Sequence, residues 1–208
     1  MGSPALAAAE VGVHRAGPED VHALTRVLVQ AYMDDPLAIW ITASESLRAR
    51  TLYGLYTARL QGMLAVGEVW TDAERSSVSV WLPPGARKPA MQLNASLRRC
   101  LLDPRLAVRL PLLAWGLRHM DGAHPRAPVH WYLSLLGTDP AQRGRGLGSA
   151  MLQPVLARCD ETGVGAYLES SKQRNIGFYE RHGFRALQAL RLPAGPTLWP
   201  MWREPRRR

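Results

Sequence analysis

An α/β domain with a mixed sheet is the fold class this sequence predicts. Three observations carry that expectation. Segments of period-two apolar alternation are interleaved with helical ones, no internal repeat or low-complexity linker divides the chain, and the composition is that of a globular protein. Of the 208 residues, 47% are hydrophobic and 21% charged, enough for one buried core without disulfides or metals. The expectation is a single domain over 1–208, frayed at 1–10 (MGSPALAAAE) and 203–208 (REPRRR), with 83–129 a mainly helical insertion between strands.

The elements follow in order. Val11–Arg15 alternates as a short strand, and Gly17-Pro18-Glu19-Asp20 opens a helix to about Met33, since proline and acids suit a first helical turn. Asp34-Asp35-Pro36 stops it. Leu47 to about Val66 is helical, Gly67–Asp72 and Ser77–Leu82 are strands, and Pro83-Pro84-Gly85 ends the second. Residues 90–119 look helical, with breaks at Asp103-Pro104 and Pro111. Trp131–Thr138 is a strand, Gly146–Thr162 a helix, Gly165–Glu169 a strand and Asn175–His182 a short helix capped by Gly183. Arg185–Arg191 and Leu198–Trp202 complete the sheet. Pro154 should kink its helix.

Several function classes are disfavoured. No run of about 18 apolar residues is present to span a bilayer, and no basic-then-apolar leader opens the sequence. Cys100 and Cys159 form no CxxC pair, which suits a reducing cytoplasm. The net charge of +9 is spread along the chain as arginine without a recognition motif, so no nucleic-acid partner and no membrane partner is expected. The excess suits a polyanionic small molecule, or simply an arginine-rich composition.

The sharpest local signal is Gly137-Thr138-Asp139-Pro140-Ala141-Gln142-Arg143-Gly144-Arg145-Gly146-Leu147-Gly148-Ser149-Ala150, between a strand and a helix. Unpaired backbone N–H groups and the helix dipole favour an anion there, and glycines let the backbone come close to a phosphate. The segment has neither the Gly-Lys-Ser/Thr ending of a P-loop nor G-x-G-x-x-G spacing. Taken alone, it is equally a glycine-rich connection.

Arg143-Gly144-Arg145-Gly146-Leu147-Gly148 resembles the Q/R-x-x-G-x-G/A signature of the GNAT acetyltransferase superfamily, and Asn175-Ile176-Gly177-Phe178-Tyr179-Glu180-Arg181-His182-Gly183-Phe184 resembles the second half of the same site. Trp131–Ala150, Leu168–Phe184 and the ending near 193–199 are similar to the puromycin N-acetyltransferase group within it. The resemblance implies a GNAT fold, α/β of the α+β type, with a central mixed, mostly antiparallel sheet flanked by helices and splayed at the acetyl-CoA strand.

It also implies acetyl-CoA as cofactor, without a metal. The expected activity is direct acetyl transfer to a primary amine of a small molecule, an antibiotic or metabolite, by a monomer or homodimer. The alternatives are a protein lysine or N-terminal acetyltransferase and a non-catalytic acyl-CoA-binding regulator. Residues carried to the cofactor are Leu135, Leu136, Gly137, Thr138, Arg143, Gly144, Arg145, Gly146, Leu147, Gly148, Ser149, Asn175 and Tyr179. Leu136 or Gly137 is the expected N–H donor to the thioester oxygen, and Gly137 suits a strand bulge.

Asn175 and Tyr179, four apart, share a helix face. In similar enzymes such a tyrosine protonates the departing sulfur, and the alternative for Tyr179 is a core tyrosine at helical spacing. Glu169 is the first candidate for the base, and equally a strand-end acid or an arginine's partner. Asp34, Asp35, Trp40 and Tyr132 are candidates for the substrate pocket, with a plain helix-end turn and core packing as alternatives. His130 is a possible proton relay or a structural residue, and Cys159 is read as packing.

Overall fold

The computed structural model describes residues 11–42, 44–90 and 94–206. The expected fraying at 1–10 and 207–208 lies outside the described residues. The elements are β1 (His14–Arg15), α1 (Val21–Tyr32), α2 (Pro36–Thr42), α3 (Glu45–Val66), β2 (Glu68–Thr71) and β3 (Ser77–Leu82). Then come α4 (Ala95–Leu101), α5 (Pro104–Ala107), α6 (Leu110–Ala123), β4 (His130–Thr138), α7 (Leu147–Thr162) and β5 (Gly165–Ser170). The chain ends in α8 (Ile176–Arg181), β6 (Arg185–Ala186), β7 (Leu190–Arg191) and β8 (Thr197–Arg203). The sheet order is β1-β2-β3-β4-β5-β8-β6, with β7 on β8. Every pairing is antiparallel except β4 with β5, joined by the α7 crossover. No helix among the described residues is long and apolar enough to cross a membrane.

Both faces of the sheet are covered, so all six residues of β3 are buried. Leu24 and Leu28 of α1 and Leu52, Leu60 and Met63 of α3 pack on Val78 and Val80. Leu152, Val155 and Leu156 of α7 pack on Trp81, Trp131 and Leu168 from the other side. Each fully buried leucine contributes about 2 kcal/mol of transfer free energy. A third cluster gathers Trp40 of α2, Leu106, Leu113 of α6 and Leu198 of β8, and so ties the helical insertion to the last strands. Gly116 is what lets α6 pass Trp40, since a Cβ there would sit 2.4 Å from the indole.

The feature that positions the site is a fork. Pairing of β4 with β5 runs from His130 and Gly165 to Leu133 and Leu168, then stops. Beyond that point β4 stays with β3 as far as Thr138, while β5 stays with β8 as far as Ser170. The register shifts where Val80 faces Leu135 and Trp81 faces Leu133, leaving Ser134 as the extra residue. The bulge expected at Gly137 is therefore at Ser134. Gly137 serves close packing instead: a Cβ there would lie 3.0 Å from Leu28 Cδ2 and 3.2 Å from Ala31 Cβ, so its absence lets α1 press on β4.

Other departures have local causes. The first strand shrinks to two residues, and 185–191 is two short pairs rather than one strand. Pro36 ends one helix and also starts the next, because proline suits a first turn as well as it blocks continuation. Pro154 leaves α7 continuous to Thr162. Ser79 Oγ donates to the Met151 carbonyl at 2.8 Å, in the turn before the proline. Arg203, placed at the head of the frayed tail, is instead 2% exposed. Its guanidinium bonds both Asp160 oxygens at 2.8 Å and the His182 carbonyl at 2.9 Å.

Candidate active site

A cavity of about 1240 Å³ occupies the fork and extends under the insertion. Its first half is backbone and cations. Gly144 and Gly146 hold φ of 81° and 78°, the left-handed region in which glycine is unstrained. Gly146 caps α7, so the first N–H groups of that helix are left without helical partners beside the turn. Gly144, Gly146, Leu147, Gly148 and Ser149 all line the cavity. Arg143, Lys172, Arg174 and Arg181 add positive charge there, and Asn175 lines it too. A cradle of orphan N–H groups and cations fits a pyrophosphate. Ser149 Oγ is 2.9 Å from His182 Nε2. Burial, and then Arg181, Arg206 and Arg203, lower the His182 pKa, so this imidazole is neutral.

At the fork, Tyr32 of α1 meets the free edge of β4. Its hydroxyl donates to the Leu136 carbonyl at 3.1 Å and accepts from the Leu136 N–H at 3.3 Å. The Gly137 carbonyl accepts from Ser77 Oγ of β3 at 3.1 Å, so Gly137 turns the other way. Of the two expected donors, Leu136 is the one aimed into the fork. Leu135 and Thr138 also line it, with Thr138 Oγ1 2.8 Å from Ser77 Oγ.

Tyr179 of α8 is 8% exposed and lines the same space. Burial raises its pKa, and the Asp35 charge adds to that. Burial, then Tyr179 and Asp35, raise Tyr32 likewise. Both hydroxyls therefore stay protonated and can donate. Asp35 is 3% exposed and caps α2, accepting from Leu37 N at 2.9 Å and Ala38 N at 3.2 Å. Its other oxygen accepts from Ser171. Asp34 is occupied by Lys172 and Arg174. Partial burial pushes its carboxyl up, but the two cations outweigh that and hold its pKa at about 2.

The second half is a chamber. Leu97 and Leu101 of α4, Leu106 of α5, and Leu110, Leu113 and Leu117 of α6 line it. Tyr132 and Glu169 form its floor with Arg59, whose guanidinium donates to the bulged Ser134 Oγ at 2.8 Å. Glu169 is 7% exposed at its side chain, and its Oε1 lies 3.2 Å from His124 Nδ1. Its side-chain partners are His124 and the Tyr132 and Tyr167 hydroxyls.

A sequence model described as the acetyltransferase (GNAT) family matches residues 113–184, the span holding the fork, α7 and α8. An uncharacterized N-acetyltransferase of Schizosaccharomyces pombe is 26% identical over 189 residues, covering 86% of this chain and 76% of that protein. The histone acetyltransferase HPA2 and related acetyltransferase of Corynebacterium glutamicum, a solved structure, superposes with TM-score 0.65 at 26% identity, over 95% of this chain and 97% of that one. The match to the GNAT acetyltransferase family thus spans residues 113–184, from α6 through α8. An agmatine N-acetyltransferase shares the fold, with TM-score 0.54 at 18% identity over 92% of this chain and 98% of that one. The expected GNAT fold is what the sheet order and fork display, and the family's acyl donor is acetyl-CoA.

Two expected site residues stand elsewhere. Trp40 is 6% exposed inside the third core cluster and lines no part of the cavity, because α6 and β8 close around it. Arg145 lines a separate depression with Asp72, Glu74 and Asp139, since the turn reverses between Arg143 and Gly146. Tyr32, Arg59, His124, Lys172 and Arg174 escaped sequence reasoning. Tyr32 and Arg59 sit on ordinary helix faces, and only long-range packing brings them to β4. Lys172 and Arg174 lie within three residues of the motif asparagine, and their charge is a usable signal. Cys159 is packing: it is fully buried, and burial pushes its pKa up to about 12. Among the described residues no group of three or more His, Cys, Asp or Glu is placed to hold a metal.

Proposed function

We propose that this GNAT enzyme acetylates the primary amine of a small molecule with an apolar body, by direct transfer in a ternary complex. The observation that carries the reading is the leucine chamber, roofed by the insertion and opening onto Tyr179 and Glu169. A flexible peptide acceptor gains little from such a chamber, whereas an apolar amine buries its body there at roughly 25 cal/mol per Å².

The residues that would hold acetyl-CoA are those of the cradle, with its pyrophosphate on Gly144, Gly146, Gly148 and Ser149 and its pantetheine along Leu135, Leu136 and Thr138. When bound it supplies an acetyl thioester. Arg143 and Arg174 answer the phosphate charge, and Asn175 opens the helix beside them. The Leu136 N–H, released by Tyr32, is the donor that polarises the acyl carbonyl. Glu169 takes a proton from the acceptor ammonium, which frees the nitrogen lone pair to attack. Tyr179, kept protonated by burial, gives its proton to the departing sulfur. Asp35 remains near the tyrosines as a fixed negative charge that discourages their ionisation.

The test is a thiol-release assay with acetyl-CoA and three acceptors: phenethylamine, agmatine and a lysine-bearing histone-tail peptide. The expected outcome is a kcat/KM for phenethylamine about tenfold above the other two, the worth of one buried apolar group. A peptide acceptor turned over fastest would overturn the small-molecule reading and support protein acetylation instead.

A further inference from the structure

We infer that His124 and His130 carry the acceptor's proton from Glu169 to the surface, along a path that never enters the cavity. This rests on the reading of Glu169 as the base. Three contacts define the path. Glu169 Oε1 is 3.2 Å from His124 Nδ1, His124 Nε2 is 3.3 Å from His130 Nε2, and His130 Nδ1 is 2.8 Å from the Pro128 carbonyl. Glu169 lines the cavity and the histidines stand behind it. Side-chain exposure rises from 7% at Glu169 to 20% at His124, and His130 is the half-buried outer member.

Hydrogen counting shows what the three side chains share. A carbonyl only accepts, so His130 Nδ1 carries a hydrogen. Each contact needs one hydrogen, and an ionised carboxylate with two neutral imidazoles supplies one too few. When the inner contact is the empty one, a bare ring nitrogen faces a carboxylate oxygen. That gap attracts a proton, and the acceptor ammonium can fill it through Glu169. The substrate N–H bond breaks and an O–H forms on Glu169. This proton passes to His124 Nδ1 as the His124 Nε2 proton moves to His130 Nε2, and His130 breaks its Nδ1 contact with the Pro128 carbonyl to release that proton to water. Each imidazole ends as its other neutral tautomer and returns by exchange with water. No further reactant is consumed.

The surroundings hold the rings in line. His124 is edge-on to Tyr132 and Tyr167 with centroids at 4.7 and 4.9 Å, and His130 packs on Trp202 at 5.2 Å. Burial first, and the Glu169 charge second, raise the pKa of both tyrosines, so neither hydroxyl yields its own proton to the path. Burial lowers that of His130, which favours release at the outer end. Among the described residues, other charged groups near the cluster are Arg59 from α3, Lys88 over the Tyr132 ring with its partner Asp121 from α6, and Glu204, which accepts from Trp202 Nε1.

The deciding experiment is a pH titration of the full chain by ¹⁵N-histidine NMR. The same macroscopic steps should appear at both His124 and His130, because in a coupled pair each step belongs to the pair and not to one ring. Glu169→Gln should uncouple them while circular dichroism stays unchanged. Two independent transitions in the folded wild-type protein overturn the relay, whatever amine the enzyme accepts, so this arm fails separately from the acceptor reading. With phenethylamine as acceptor, His130→Ala should lower kcat about tenfold near pH 7, with KM for acetyl-CoA unchanged and the loss recovered by added imidazole. His124→Gln, which keeps a hydrogen bond to Glu169 but passes no proton, should show the same loss. Wild-type kcat in His124→Gln, or a loss in His130→Ala that imidazole leaves in place, overturns the relay.

Discussion

The two halves of the cavity are built from different materials. The cradle around Gly144, Gly146 and Ser149 is backbone geometry backed by cations, whereas the chamber under α4 to α6 is walled by six leucine side chains. Backbone N–H groups can only be presented by one local conformation, so the cradle tolerates few sequences. An apolar wall asks only for volume and hydrophobicity, which many sequences meet. The cradle is therefore the half suited to an invariant ligand, and the chamber the half free to vary with the acceptor.

Four substitutions would break or sharpen that contrast. Arg203 joins the far ends of α7 and α8 through Asp160 and the His182 carbonyl, so it supports the cradle side alone. Arg203→Leu leaves the Asp160 carboxylate with the Arg206 N–H alone and should cost about 3 kcal/mol in a urea titration. Burial pushes Asp160 up, but its bonds from Arg203 and the Arg206 N–H prevail and leave its pKa lowered. Its share of stability is thus present above the unfolded value of about 3.9 and lost as pH falls through the lower folded value. The variant should lose the Arg203 share of that acid limb.

Gly146→Asp puts a side chain and a negative charge at a φ of 78° in the cradle. Calorimetry should show acetyl-CoA binding weakened about 100-fold or more, or roughly 3 kcal/mol. Unchanged affinity in a folded variant would remove the cradle from the cofactor site. Tyr179→Phe should lower kcat about 100-fold with little change in KM for acetyl-CoA. Because burial raises the Tyr179 pKa, the wild-type rate should show no alkaline loss at pH 10, where an ordinary tyrosine ionises. Leu117→Asn, on the chamber wall, should weaken the apparent affinity for phenethylamine about fivefold and leave acetyl-CoA affinity alone, as initial-rate kinetics with each substrate varied would show. A change in both would mean that the halves are not separable.

How legible each part was follows the same division. The glycine turn, the helix after it and the Asn175 to Gly183 segment were readable, since positive φ, caps and helical spacing are properties of neighbouring residues. The fork was implied only through family resemblance, and its bulge was misplaced by three residues. A glycine in a strand signals either a bulge or a close approach, and α1 decides which. Trp40 was read as a pocket aromatic because nothing in its neighbourhood announces that α6 and β8 will enclose it. Arg203 looked like the start of a charged tail because its partner, Asp160, is distant in sequence.

The sequence by itself determined the alternation of strands and helices, the phosphate-type turn and the tyrosine beside it, because short-range sterics and unpaired backbone groups leave those segments one good conformation. Tertiary structure alone decided where the fork opens, which leucines face it, and that Glu169 would meet a histidine 45 residues away. Those contacts come from packing one element on another, and hydrophobic burial has no direction until the whole core has closed.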